Sequence, residues 1–180
     1  MTRKLLKQWG GMMSDYIEYS MDFAPLFDNS EYESFYIEKS PIYGAIRNQR
    51  VSSVEFVVKR NSRLSFIEAK NTFKKASHEE FEKDLQSTYD KFVHSFFLFT
   101  SQRLGLGKNM DEAFNIISIT PVERVVFLLV INEHEHHWCK ALKNKIKEKF
   151  TRDFHPLNKI LNWEVIVINS STARKRKIIA

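Results

Sequence analysis

In 180 residues the chain carries 28 Lys and Arg against 22 Asp and Glu, a formal charge of +6, with 43% hydrophobic side chains. That apolar share supports a sizeable core and excludes wholesale disorder, and the length is that of a single domain over 1–180. One cysteine, Cys139, excludes an internal disulfide framework. The N-terminus shows no apolar signal-peptide region, and the longest apolar run, Val125 to Ile131, is too short to cross a bilayer. A soluble cytoplasmic protein with no membrane partner is expected.

Taken in chain order, Lys4 to Met21 reads as one or two helical pieces broken at Gly10-Gly11, within an N-terminal helical segment of about 1–30. A polar turn around Asp28 to Glu31 leads to a strand over Ser34 to Lys39, stopped by Ser40-Pro41. Two further strands, Ser53 to Arg60 and Arg63 to Phe73, meet at Asn61-Ser62. Apolar residues at Phe81, Leu85, Tyr89, Phe92, Phe96 and Phe99 recur every three or four positions, which predicts a long helix over His78 to Arg103. Ser77 is placed to cap it, and Leu104 to Gly107 to end it. Val125 to Asn132 and Trp163 to Asn169 read as strands covered on both faces, separated by a basic helix over Trp138 to Phe150. The expected order is α, β, β, β, α, β, α, β. It predicts an α/β protein with a central mixed β-sheet flanked by helices: a hairpin to which parallel strands are added through helical crossovers.

Charge is unevenly spread. Residues 1–90 hold 13 basic and 14 acidic side chains, whereas residues 91–180 hold 15 and 8. The excess concentrates in the helix with Lys140, Lys143 and Lys147 and in the tail Arg174, Lys175, Arg176 and Lys177, over 171–180. A basic segment of this kind is the footprint of a polyanion binder, against the plainer reading of a solvated helix face and a frayed end.

The most informative stretch is the hairpin. A turn at Asn61-Ser62 makes Glu55 and Glu68 direct cross-strand partners, and the strand period of two puts Lys70 on the same face. Like charges directly opposite destabilise a sheet, so two carboxylates beside Val57 and Phe66 need an offsetting group. A divalent cation answers, because carboxylate oxygens are the ligands Mg²⁺ prefers. A solvated hairpin with weak surface ion pairs is the plainer alternative.

At these residues the chain resembles the PD-(D/E)XK nuclease superfamily, the restriction-endonuclease-like fold. Glu68-Ala69-Lys70, approached by Leu64-Ser-Phe-Ile, is similar to the (D/E)-X-K tripeptide of the third strand. Glu55, within Val54-Glu55-Phe56-Val57-Val58, is similar to the acid of the second strand, with Glu in place of the usual Asp and Val54 where a proline often stands. The resemblance covers about residues 33–170. It implies an α-β-β-β-α-β core and a Mg²⁺- or Mn²⁺-dependent hydrolase of nucleic-acid phosphodiesters. Glu55 and Glu68 would hold the metal and Lys70 would position the attacking water. It further implies nucleic acid, DNA in the first place, as partner, and a homodimer, since such nucleases commonly pair two active sites. Family members often add a glutamate from the first helix, for which Glu18, Glu31, Glu33 and Glu38 are open. Some add a Gln or Lys from the helix after the third strand, for which Gln86 and Lys83 stand in range. The alternative is a catalytically degenerate domain of the same fold that binds nucleic acid or protein. An assembly domain with an aromatic surface is a third reading.

Glu133-His134-Glu135-His136-His137-Trp138-Cys139 has no second ligand knuckle elsewhere, so a surface or structural role outweighs a zinc site. No phosphate loop, dinucleotide fingerprint or nucleophile–histidine–acid order is present.

Overall fold

Alternating apolar positions in the middle of the chain and near-continuous ones later build one sheet with two buried faces. The computed structural model describes residues 16–106, 110–118, 121–153 and 159–180. Its elements are β1 (Ile17–Glu18), β2 (Met21–Asp22), α1 (Pro25–Asp28), β3 (Glu33–Tyr36), α2 (Pro41–Ile46), β4 (Phe56–Arg60), β5 (Arg63–Lys70) and α3 (Phe81–Arg103). They continue with β6 (Arg124–Ile131), α4 (His136–Asp153), β7 (Trp163–Asn169) and α5 (Ser170–Lys175).

The five-stranded sheet has the order β3-β4-β5-β6-β7. β4 runs antiparallel to both β3 and β5, while β6 lies parallel to β5 and β7 parallel to β6. This is the mixed α/β architecture expected from the order of elements, with α3 and α4 as the crossovers. The hairpin register is the expected one: Phe56 faces Ile67 and Arg60 faces Arg63, with Asn61 at φ 53° making the turn. Left-handed backbone at a non-glycine is cheapest for Asn and Asp, which is why this dipeptide turns the chain here.

Period-two alternation divides the strands between two cores. Val57, Phe66, Phe127 and Val165 face α3 and α4, with Phe92, Phe99, Leu142 and Phe150 packed over them. Phe56, Ile67, Leu128 and Ile168 face the other way, under Phe23, Leu26 and Ala173. The first core is dominated by rings: Phe127 lies 4.6 Å from Phe150, 5.4 Å from Phe92 and 5.8 Å from Phe66, centroid to centroid. α3 ends in a Schellman arrangement, in which Leu106 N donates to Ser101 O and Gly105 N to Gln102 O with Gly105 at φ 69°. Among the described residues no helix is long and apolar enough to cross a membrane.

Several boundaries differ from the sequence-based expectation. Residues 17–21 do not continue a helix; with Asp22 they form the β1–β2 ribbon, turned at Tyr19 and Ser20 with φ of 51° and 63°. Tertiary packing decides this, since Met21 is fully buried and Tyr16 stacks on Phe27 at 4.0 Å. The rest of the expected N-terminal helix, residues 1–15, lies outside the described residues. The strand expected to Lys39 stops at Tyr36 and continues as a 3-10 turn, Ile37–Lys39. β4 starts at Phe56 rather than Ser53, and β5 ends at Lys70 rather than Phe73. Ser77 does not cap α3: the helix begins at Phe81 after a backbone turn from Lys75 to His78, with no side-chain cap. The polar turn expected at Asp28 to Glu31 is preceded by the one-turn helix α1, and α2 and α5 are further short helices.

Because Phe127 joins both crossover helices to the sheet, Phe127→Ala should cost ~3–5 kcal/mol of unfolding free energy. Denaturant titration monitored by circular dichroism checks this; a loss within ~0.5 kcal/mol, the level of an ordinary surface change, would show that the ring cluster does not hold the layers together.

Candidate active site

Register brings Glu55 and Glu68 together. Glu55 immediately precedes β4, and continuing the ladder by one step sets it opposite Glu68 on the α3 side of the sheet. Both are enclosed, at 3% and 1% exposure. Ala69 N donates to Glu55 Oε2 at 2.6 Å, which fixes the first carboxylate against the neighbouring strand.

The chain entering Glu55 is held by α3. Ser95 Oγ accepts from Val54 N at 2.8 Å, and His94 Nδ1 accepts from Ser52 N at 3.2 Å. One turn earlier on the same helix, Lys91 reaches the carboxylates. Its Nζ lies 2.9 Å from Glu68 Oε1, 3.3 Å from Glu55 Oε1 and 3.8 Å from Glu38 Oε1. Glu38 arrives from the 3-10 turn after β3, anchored by Ile37 N donating to Glu55 O at 2.9 Å. The remaining oxygen of Glu68, Oε2, is buried without a hydrogen-bond partner. Lys70 follows two residues on, half-buried, with its ammonium 5.9 Å from the Phe73 ring. Asn132 N donates to Lys70 O, and Asn132 Nδ2 to Tyr19 O, so the β1–β2 turn is tied to the end of β5.

The electrostatics follow from burial. Burial raises the Glu68 carboxyl well above the usual range, the Glu55 charge pushes it further, and Lys91 and Lys70 oppose both. Burial also raises Glu55, against Lys91 and the Ala69 N–H. Glu38 is pushed up to about 7 by burial and by the charge of Glu55, with Lys91 pulling it down. Lys91 itself is raised, because the attraction of Glu68 and Glu55 outweighs the cost of burying the ammonium. The Tyr19 hydroxyl is raised by burial and then by Glu55. Two buried like charges sharing one ammonium titrate as a unit.

The expected trio is thus partly assembled: Glu55 and Glu68 are joined, and Lys70 stands on their face. Of the four open glutamates, Glu38 is the one beside the pair. Glu31 instead pairs with Arg60 at 2.5 Å, Glu33 accepts from Ser118 and faces Lys59, and Glu18 accepts from the Tyr36 hydroxyl. Neither Gln86 nor Lys83 joins the site; both are exposed on α3, with Gln86 bonded to Asp90 at 2.6 Å. The helix lysine is Lys91, which sequence reading missed. Its signal was its position, one turn from each of the inward polar residues Thr88 and Ser95.

The basic residues do not form one surface. Lys140 and Lys147 are exposed and Lys143 half-buried on α4, which covers the same sheet face as the carboxylates. Arg174, Lys175, Arg176 and Lys177 are exposed in and after α5, whose Ala173 packs into the opposite core. The Glu133–Cys139 histidine stretch gives no cluster either: among the described residues, no group of three or more His, Cys, Asp and Glu is arranged to hold a metal ion. His134 is lowered by burial, while its carbonyl accepts from Asn169. Comparison with protein-family models, with curated proteins and with solved structures finds no match.

Glu38 generates a pH prediction. Its folded value of about 7 exceeds the ordinary 4.5, so the folded state holds the extra proton between those values. Stability from this group is present below about 4.5 and declines as pH rises through 7. Glu38→Gln should flatten the fall in melting temperature over that window. An identical wild-type and variant slope would show that Glu38 ionises normally.

Proposed function

We propose that this chain is a metal-dependent nuclease of the PD-(D/E)XK type, hydrolysing phosphodiester bonds of nucleic acid at Glu55, Glu68 and Lys70. The observation that carries the reading is the carboxylate pair: two glutamates, enclosed at 3% and 1%, with Glu68 Oε2 left as a buried acceptor. An unpaired buried acceptor costs ~1–3 kcal/mol, and a surface hairpin pair would not be enclosed in this way. The order of elements supports the restriction-endonuclease-like core, since β3, β4 and β5 precede α3 and are followed by β6, α4 and β7.

The donor set fits a hard divalent cation. Mg²⁺ is commonly held by one or two carboxylates, with waters and substrate phosphate completing its shell, so Glu55 and Glu68 suffice as protein ligands. Bound there, Mg²⁺ or Mn²⁺ would stabilise charge on the phosphoryl group and acidify a coordinated water. Lys70, on the same strand face and half-buried, orients the water and offsets charge developing on the phosphate. Water attacks phosphorus, the bond to the leaving sugar oxygen breaks, and the products are an alcohol and a phosphomonoester. Lys140 and Lys147, exposed on the helix over the same sheet face, supply contacts to the phosphate backbone that carry affinity without sequence. DNA as substrate and a homodimer that pairs two sites complete this reading.

A second reading is favoured by Lys91. An ammonium 2.9 and 3.3 Å from the two carboxylates offsets their repulsion without a metal, as a catalytically degenerate binding domain requires.

Incubating plasmid, linear and single-stranded DNA and RNA with Mg²⁺ or Mn²⁺ separates the two. Cleavage should stop with EDTA, and Glu68→Ala and Lys70→Ala should lower it by at least ~10²-fold while leaving binding nearly intact. No cutting of any substrate would favour the degenerate domain. Lys140→Gln with Lys147→Gln should weaken binding across all sequences and reduce the salt slope by ~1 per lysine. An unchanged slope would remove α4 from the nucleic-acid interface.

A further inference from the structure

The carboxylate pair already has a cation, supplied by the chain itself. Lys91 Nζ contacts Oε1 of both Glu68 and Glu55, at 2.9 and 3.3 Å, so one cation already serves the two carboxylates. Glu68 Oε2 keeps unused acceptor capacity even so. We propose that the Lys91 ammonium is a tethered placeholder, and that a divalent cation enters the Glu55–Glu68 pair only by exchange with it. The inference rests on the reading of this pair as a Mg²⁺ site.

Three features make exchange workable. A dication and an ammonium within ~4 Å repel strongly in a medium of effective dielectric ~20, so the two occupants exclude each other. Lysine's charge rides on a flexible four-carbon stem rather than a planar fork, so it can leave without moving α3. Glu38 offers a place to go: its Oε1 is 3.8 Å from Nζ, and at 31% side-chain exposure it stands at the open side of the pair. A displaced Lys91 stays beside Glu38 at the mouth of the site, where it faces an incoming phosphate. The arrangement keeps the buried carboxylates compensated when no metal is bound, and it sets a threshold on the cation concentration needed for loading.

Mn²⁺ calorimetry on the full chain tests the exchange. Lys91→Met should bind Mn²⁺ at least ~10-fold more tightly than wild type, because a competing unit charge a few Å away has gone. Equal or weaker binding overturns the proposal, as does absence of Mn²⁺ heat from both proteins. Heat that survives Glu68→Gln in the Lys91→Met background arises elsewhere and also counts against it. Since Lys91→Met leaves two buried carboxylates uncompensated and can fail to fold without metal, wild type carries a second measurement. Acylation of lysines, read by mass spectrometry, should label Lys91 severalfold faster at saturating Mg²⁺ than in EDTA; unchanged labelling overturns the proposal. The outcome separates from that of the nuclease reading. Tighter binding by Lys91→Met without any cleavage sustains the exchange and removes the enzyme, whereas metal-dependent cleavage with unaltered binding and labelling does the reverse.

Discussion

Two carboxylates enclosed side by side are the constraint around which this end of the sheet is arranged. Removing two charges from water costs several kcal/mol each, and their mutual repulsion adds to that. Three groups near Glu55 and Glu68 answer this cost in part, while the Glu38 carboxylate adds to it. The Ala69 N–H bonds one carboxylate, Lys91 touches both, and Lys70 bears on Glu68 from along the strand. The residual deficit appears as raised carboxyl values and as the unpartnered Glu68 Oε2. Replacing such a group by well-packed apolar residues is often neutral or stabilising, so cohesion of the fold is a weak explanation for it. Function is the stronger one, because strongly perturbed titratable groups gather where chemistry needs them.

The surrounding fold serves to hold the three contributing segments rigidly. β5 is interior to the sheet, paired with β4 as far as Ile67 and with β6 along its whole length, so Glu68 and Lys70 are held by the β6 ladder on one side while the Glu55 carboxylate takes up the Ala69 N–H on the other. Glu55 lies just outside β4 and needs separate support. α3 supplies it through Ser95 and His94, which take up the Val54 and Ser52 N–H groups. The same helix is pinned to the sheet by the Phe66, Phe92, Phe99 and Phe127 rings, so Lys91 is delivered from a packed element rather than a loop.

Much of this was legible in the sequence, and the illegible part has definite causes. Hairpin register could be read because a strand's period is two and a turn at Asn61-Ser62 pairs residues whose positions mirror each other about it, which puts Glu55, Glu68 and Lys70 on one face. The helix of α3 was legible from its recurring aromatic positions. Lys91 was not, because a lysine on the flank of an apolar stripe looks the same whether its ammonium reaches solvent or turns inward; its spacing from Thr88 and Ser95 hints at the inward side, and the position of Glu68 decides. Glu38 was one of four equivalent acids for a similar reason, since selection among them depends on the 3-10 turn that follows β3. The β1–β2 ribbon was hidden because Tyr19 and Ser20 adopt left-handed backbone with neither glycine nor asparagine to announce it. Such conformations cost of order 1–3 kcal/mol and persist only where surroundings impose them, here through Met21, the Tyr16–Phe27 stack and the Asn132 bond to Tyr19 O.

The division of the basic residues between two faces bears on how a polyanion would be held. Charge counted along the chain merges α4 and the tail into one segment, yet β7 carries the backbone across the sheet between them. α4 covers the core beneath the carboxylates, and α5 covers the other. Under the nuclease reading, a phosphate strand at Glu68 would share its sheet face with Lys140 and Lys147 on α4 but not with the Arg174–Lys177 run. Electrostatic attraction falls off over about 8–10 Å at physiological salt. The tail then contributes to a grip on the strand at the site only if nucleic acid wraps around the end of the sheet or a second chain presents its own tail. Net charge of +6 thus bears on encounter with a polyanion, while under the proposed nuclease reading the contacts that position a scissile bond would fall to the few cations that share a face with the buried pair.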